Sequence, residues 1–210
     1  MVFLFVSIAL MRHAYEERNQ MLDIAVAYEK TQVAIYKALM NEFGEDLPKW
    51  KAKINRETLS VEFTDMKIMF EIGSAALKPE FRQVLDDFFP RYMQCLTEFR
   101  PSISEIRIEG HASTHWNSQV SADEAYAKNM ILSQKRTQSV LLHIQEIPNL
   151  QNEKVWMRQN IAAIGFSSSH AVRDESGREN AEASRRVTFR VLTNADQQIL
   201  RILKNHAAAR

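Results

Sequence analysis

Strand-like and helix-like stretches alternate along residues 58–193, and that alternation limits the fold more than any single motif does. Residues 58–63 place Leu59, Val61 and Phe63 on one face and Ser60 and Glu62 on the other, the two-residue period of a half-buried strand. Residues 103–109, 160–166 and 186–192 read as further strands; in the last, Val187, Phe189 and Val191 alternate with Thr188 and Arg190. Helix-forming stretches lie between them. One opens at Pro79, where a missing N–H costs nothing, and runs to about Phe99, with a kink or break expected near Asp86 because Pro90 lies inside it. A second is expected over residues 133–147, opening at Ser133. Strands interleaved with helices predict an α/β (α+β sandwich) fold, a βαβαβ sheet covered by helices on one face and preceded by an N-terminal helix. Residues 195–204 read as a short terminal helix within a 194–210 tail.

The region before the sheet divides in two. Residues 1–11 (MVFLFVSIALM) are almost wholly apolar, and Arg12, His13, Glu16, Glu17 and Arg18 follow at once. Eleven helical residues span ~16 Å, about half of a hydrocarbon core. No basic residue precedes the run and no small-x-small site follows it, which argues against a cleaved signal. The expectation is the outer half of a membrane-spanning helix; a signal remnant or a buried core helix are the alternatives. Residues 12–57 form a stem. No Gly or Pro interrupts residues 12–43, and Leu22, Val26, Val33, Tyr36, Met40 and Phe43 recur near a 3.5-residue period. Such a stripe suits either a paired helix or a helix laid along the domain. Gly44 and Pro48 mark its end.

Composition excludes several function classes. The net charge is +1, and phosphate neutralisation needs a concentrated basic surface, so no nucleic-acid partner is expected. The single cysteine, Cys95, rules out an internal disulfide framework; its helical spacing from Phe88, Tyr92 and Phe99 marks it as a small packed side chain. His111 and His115 stand at a strand end rather than on one helical face, so they lack zinc-ligand geometry. With no Gly-rich phosphate loop and no Ser–His–Asp or Cys–His set, neither a metal nor another cofactor nor an enzymatic activity is expected.

The motifs that carry function are sequential. Phe70-Glu-Ile-Gly73-Ser74-Ala-Ala-Leu77-Lys-Pro79 opens the series, Ile108-Glu-Gly110-His111-Ala-Ser113 closes a strand, and Asn129-Met-Ile-Leu132-Ser133-Gln-Lys-Arg136 follows. Ile164-Gly165-Phe166-Ser167 and Ser184-Arg185-Arg186-Val187 complete it. In order and spacing these resemble the OmpA-like, or MotB-like, C-terminal peptidoglycan-binding domains. That family is shared by outer-membrane anchors, Pal-type lipoproteins and the B subunits of ion-driven stators, including the flagellar MotB-like and the Zorya anti-phage B subunits. The resemblance covers residues 58–193, roughly two thirds of the chain. It implies a membrane-tethered domain in the bacterial periplasm, a homodimer, a MotA-like membrane partner, and non-catalytic binding of peptidoglycan through its diaminopimelate stem. A passive cell-wall anchor, or a protein-interaction module that has lost the ligand, would keep the same motifs.

On this resemblance the ligand-binding candidates are His111, Ser113, Asn129, Leu132, Ser133, Arg136 and Arg185. A helix opening at Ser133 would offer unpaired N–H groups to a carboxylate, and Arg136 could fork onto the same group. Arg136 on a solvated helix face and Arg185 in a salt-bridged strand end are the structural alternatives. The family places Asp where this chain has Ser113, and that Asp holds the ligand's ammonium. A hydroxyl supplies no charge, so a carboxylate from the long 113–133 segment, Glu124 or Asp123, is expected to complete the pocket. Glu109 is a further candidate. Trp116 in the same segment could stack on a ligand or pin its own loop.

Overall fold

The computed structural model describes residues 2–194. A single helix, α1 (Val2–Phe43), leads into the short α2 (Leu47–Trp50), β1 (Ala52–Asn55), β2 (Ser60–Phe63) and α3 (Met66–Met69). Then come α4 (Pro79–Cys95), β3 (Ile103–His111), α5 (Ala122–Glu146), α6 (Lys154–Asn160), β4 (Ile161–Gly165), α7 (Ala181–Ser184) and β5 (Arg186–Thr193). The five strands form one sheet in the order β1-β2-β5-β3-β4. β3 and β4 run parallel, joined across α5, and every other pairing is antiparallel. This is the mixed α/β sheet that the alternation predicts. The expected terminal helix over residues 195–204 lies outside the described residues.

The core lies between the sheet and the helices on one face. Phe88 of α4 stands at its centre, with ring centroids 5.1 Å from Phe43, 5.2 Å from Phe63 and 5.1 Å from Phe189. That packing explains why Pro90 does not break α4 as expected. Phe88, Phe89 and Tyr92 around it are all fully buried, so the helix runs on through the one backbone bond that proline removes. Cys95 is half-buried, with burial raising its thiol pKa.

The end of α1 belongs to the domain. Ile35, Leu39 and Phe43, spaced four apart, are completely buried, and Gly44 caps the helix by donating to Met40 O at 2.9 Å. Arg91 of α4 fastens this end, reaching Glu42 at 2.6 Å, Asp46 at 3.0 Å and Asp87 at 3.2 Å while its guanidinium lies 5.0 Å over Phe43. The stripe thus lies on the domain from Tyr36 onward, whereas Leu22 and Val26 are exposed. Towards the start, Val6, Ile8, Leu10 and Met11 are exposed as well. No helix among the described residues is long and apolar enough to cross a membrane.

Two further elements depart from expectation. β1 is an additional edge strand, too short and charged to show a period. The second helix starts at Ala122, not Ser133: Ser121 is its N-cap, accepting from Glu124 N at 3.2 Å. Ser133 is therefore buried in mid-helix, and the 113–133 segment is mostly helix rather than an extended loop.

Candidate functional site

Two glycines bring α5 onto the sheet. Gly110 of β3 and Gly165 of β4 are register partners, and α5 rests directly on their backbone. A Cβ on Gly110 would lie 2.7 Å from Ser133 O, and one on Gly165 would lie 2.4 Å from Gln134 N, so neither position admits a side chain without moving the helix. Polar side chains lock this approach. Gln134 Oε1 accepts from Gly165 N at 2.8 Å, and Ser133 Oγ accepts from Ser167 N at 3.1 Å. Ser133 therefore staples the helix to the sheet and, being mid-helix, offers no free N–H groups to a ligand. The helix N-terminus expected at Ser133 lies instead at Ala122, so no anion site forms there by that route.

One turn to either side of this contact, α5 presents Asn129 and Arg136 to a cleft of ≈ 610 Å³. Asn129, buried, donates to Ser113 O at 2.9 Å and so fixes the segment that follows β3. Arg136 faces the opposite wall, donating from Nε to Ser74 O at 2.8 Å and from Nη2 to Glu71 O at 3.4 Å, with its guanidinium 4.8 Å over the Phe70 ring. These bonds use backbone carbonyls, and among the described residues no carboxylate pairs with this guanidinium. Burial, reinforced by the neighbouring charge of Arg185, pulls the Arg136 pKa down to about 10. Arg185, between α7 and β5, donates to Ser113 Oγ at 3.5 Å. Leu132, Met66, Phe70, Ile72 and Trp116 supply apolar lining. Such a cleft suits a ligand with an anionic end and an aliphatic body.

The fold thus brings together Ser113, Asn129, Leu132, Arg136 and Arg185. It does not bring in the others. Glu124 sits in the first turn of α5, with an oxygen 2.8 Å from Lys128 Nζ, and neither it nor Asp123 lines the cleft. They stand in the first turn of α5, which Ser121 caps, so the carboxylate expected from this segment does not line the cleft.

His111 is buried beyond the cleft. It stacks on Phe166 at 5.5 Å, and its Nε2 lies 3.4 Å from Glu109 Oε2. Burial drives its pKa down against the opposing pull of Glu109. Burial acts to raise the pKa of Glu109, but His111, Arg190 and Thr188 together hold it lower. Glu109 therefore belongs to this sheet-face cluster and not to the cleft.

Several lining residues were not read as part of the site from sequence, namely Lys67, Phe70, Glu71 and Ile72. The 70–79 motif was the available signal for the last three. Another acid behind the wall, Glu179, accepts from Thr114 N at 3.0 Å and from the Thr114 hydroxyl.

Comparison with known proteins agrees with this geometry. The model of the OmpA family matches residues 69–185. The chain is 46% identical over 204 residues to the Zorya protein ZorB of Escherichia coli, a match covering 97% of this chain and 87% of that protein. Two solved structures share the fold. A putative MotB-like protein from Desulfovibrio vulgaris has a TM-score of 0.52 at 18% identity, covering 82% of this chain and 94% of that one. The cell wall anchor of the type VI secretion system from Pseudomonas aeruginosa has a TM-score of 0.50 at 20% identity, covering 74% and 96%. The family match spans β3, α5, β4 and every cleft wall from Phe70 to Arg185, so the chain belongs to the OmpA family.

Proposed function

We propose that this chain binds peptidoglycan without catalysing a reaction, and that it anchors a stator-like membrane complex to the cell wall as a B subunit of the Zorya type. The observation that carries this reading is Arg136, held in a cleft with no carboxylate partner among the described residues. A diaminopimelate carboxylate fits that vacancy in charge. The guanidinium N–H groups not used on Ser74 O and Glu71 O bind it, Arg185 adds a second cation, and Asn129 and Ser113 shape the polar wall. Leu132 and Phe70 pack on the methylene chain.

The likeness to ZorB over nearly the whole chain supports the stator role, with a second copy and a MotA-like subunit as partners. The domain then lies in the periplasm; because the end of α1 from Ile35 and strand β1 pack into it, the expected 12–57 stem shortens to the part of α1 before Ile35. The exposed apolar turns at the start of α1 engage the inner membrane.

The test is co-sedimentation with purified diaminopimelate-type peptidoglycan. The unmodified chain is expected to sediment and Arg136→Ala to stay largely in solution. Failure of the unmodified chain to sediment would remove the reading in favour of a protein-interaction module.

A further inference from the structure

We infer that the cleft selects a carboxylate whose neighbouring nitrogen is acylated rather than charged, and so favours diaminopimelate engaged in a cross-link over diaminopimelate with a free amine. The inference rests on the peptidoglycan-binding reading and concerns which form of the stem the same site takes.

Charge sets this preference. Arg136, Arg185 and Lys67 line the cleft. Among the described residues Glu71 is the one carboxylate in the lining, and its side chain is 70% exposed and 2.8 Å from Lys78 Nζ. Glu179 is nearby but committed: its carboxylate accepts from Thr114 N at 3.0 and 3.2 Å and from the Thr114 hydroxyl, and it is 3.7 Å from His115 Nδ1.

What faces the cleft beside the arginines is the Ser113 hydroxyl. It donates to His115 O at 3.3 Å and accepts from Arg185 at 3.5 Å. A ligand carboxylate on Arg136 carries its α-nitrogen to this same end. An ammonium there would meet two guanidiniums with no counter-charge, and a buried charge without a partner is costly. An amide N–H carries no net charge and needs one neutral acceptor, which a serine oxygen provides. In peptidoglycan the second amine of diaminopimelate exists in both forms, free in an uncross-linked stem and acylated in a cross-link. The C-terminal carboxylate of a stem, on diaminopimelate in a tripeptide and on D-alanine in a tetrapeptide, also has an acylated α-nitrogen, so it presents the same chemistry and both stem lengths must be tested.

The test is titration calorimetry on the full chain with four soluble muropeptides. These are a disaccharide tripeptide with the free side-chain amine, the same compound N-acetylated at that amine, and the corresponding pair extended by D-alanine. Both acetylated compounds are expected to bind at least about tenfold more tightly than their free-amine partners. In Ser113→Asp the preference is expected to reverse, because a carboxylate then meets the ammonium. Equal binding, or tighter binding of the free-amine forms, overturns the inference and leaves peptidoglycan binding standing. Affinity that follows D-alanine regardless of acetylation overturns it in favour of the stem terminus. Binding of none of the four, together with no sedimentation on intact peptidoglycan, overturns the inference and the underlying reading together. The acetylation comparison is made on the unmodified chain, so it holds even if Ser113→Asp does not fold.

Discussion

Replacing Gly165 by alanine tests whether the cleft depends on a backbone contact distant from any ligand. The added methyl would stand 2.4 Å from Gln134 N, 2.7 Å from Ser133 Oγ and 2.8 Å from Gln134 Cα. Ordinary carbon contacts are about 3.5–4.0 Å, and two of these neighbours are helix backbone with no rotamer to change. α5 must therefore retreat by about 1 Å. Overpacking of this kind costs about 1–3 kcal/mol. The retreat also stretches the bonds from Gly165 N to Gln134 and from Ser167 N to Ser133, each worth about 1 kcal/mol. With the two bonds only partly lost, the combined loss is at least about 3 kcal/mol. For a chain of this size that lowers Tm by about 6–12 °C, measured by calorimetry or circular dichroism. Asn129 and Arg136 move with the helix, so peptidoglycan sedimentation should weaken under conditions where Gly165→Ala is still fully folded. A Tm within about 1 °C of the unmodified chain would refute the reasoning, because α5 would then have room that the structure denies it.

Three further outcomes are expected. Arg136→Ala should weaken binding more than tenfold, since loss of a charged partner is worth about 1.5–3 kcal/mol, and amide exchange should show residues 71–74 loosening because their carbonyls lose its donors. Arg91→Met should cost about 1–2 kcal/mol in urea unfolding and speed amide exchange around Phe43; unchanged exchange there would mean that apolar packing alone holds α1. Stability should also decline in acid. Burial keeps the His111 pKa below its ordinary 6.5, so the unfolded chain takes up that proton first. The contribution is full above about pH 6.5 and falls below it. Glu109, held below its ordinary 4.5, withdraws support only at still lower pH, as its folded form protonates. His111→Gln should flatten the Tm profile below about pH 6.5, where the unfolded imidazole takes up its proton; an unchanged profile would locate the sensitivity elsewhere.

The alternation of Val187, Phe189 and Val191 marked β5, and the same pattern marked β2, because each strand packs one face on the core. β1 has no such legible face: its residues are half-buried or exposed and it pairs along one edge. The start of α5 was misread for a different reason. Ser133 looked like a cap by its place in a motif, but its hydroxyl caps nothing; it fastens the helix to Ser167. The true signal, Ser121-Ala-Asp-Glu124, is a capping box spacing. Reading it would have placed Asp123 and Glu124 in a first turn rather than in a loop able to reach the cleft. The convergence of Ser113, Asn129, Leu132, Arg136 and Arg185 followed from motif order. The wall opposite them did not, because the Ser74 and Glu71 carbonyls that Arg136 grips are backbone groups that no side-chain pattern reveals.

α1 continues without Gly or Pro from its first described turn into the core, so it works as a lever. From Val2 to Ile35, where burial begins, it measures ~50 Å at 1.5 Å per residue. A rotation of the anchored domain by about 10° would displace the far end sideways by ~9 Å over that length. A glycine-rich tether would absorb such a motion as coil entropy. Here the clamp of Arg91 on Glu42 and Asp46 transmits it, so a load applied at either end reaches the other as torque rather than as slack.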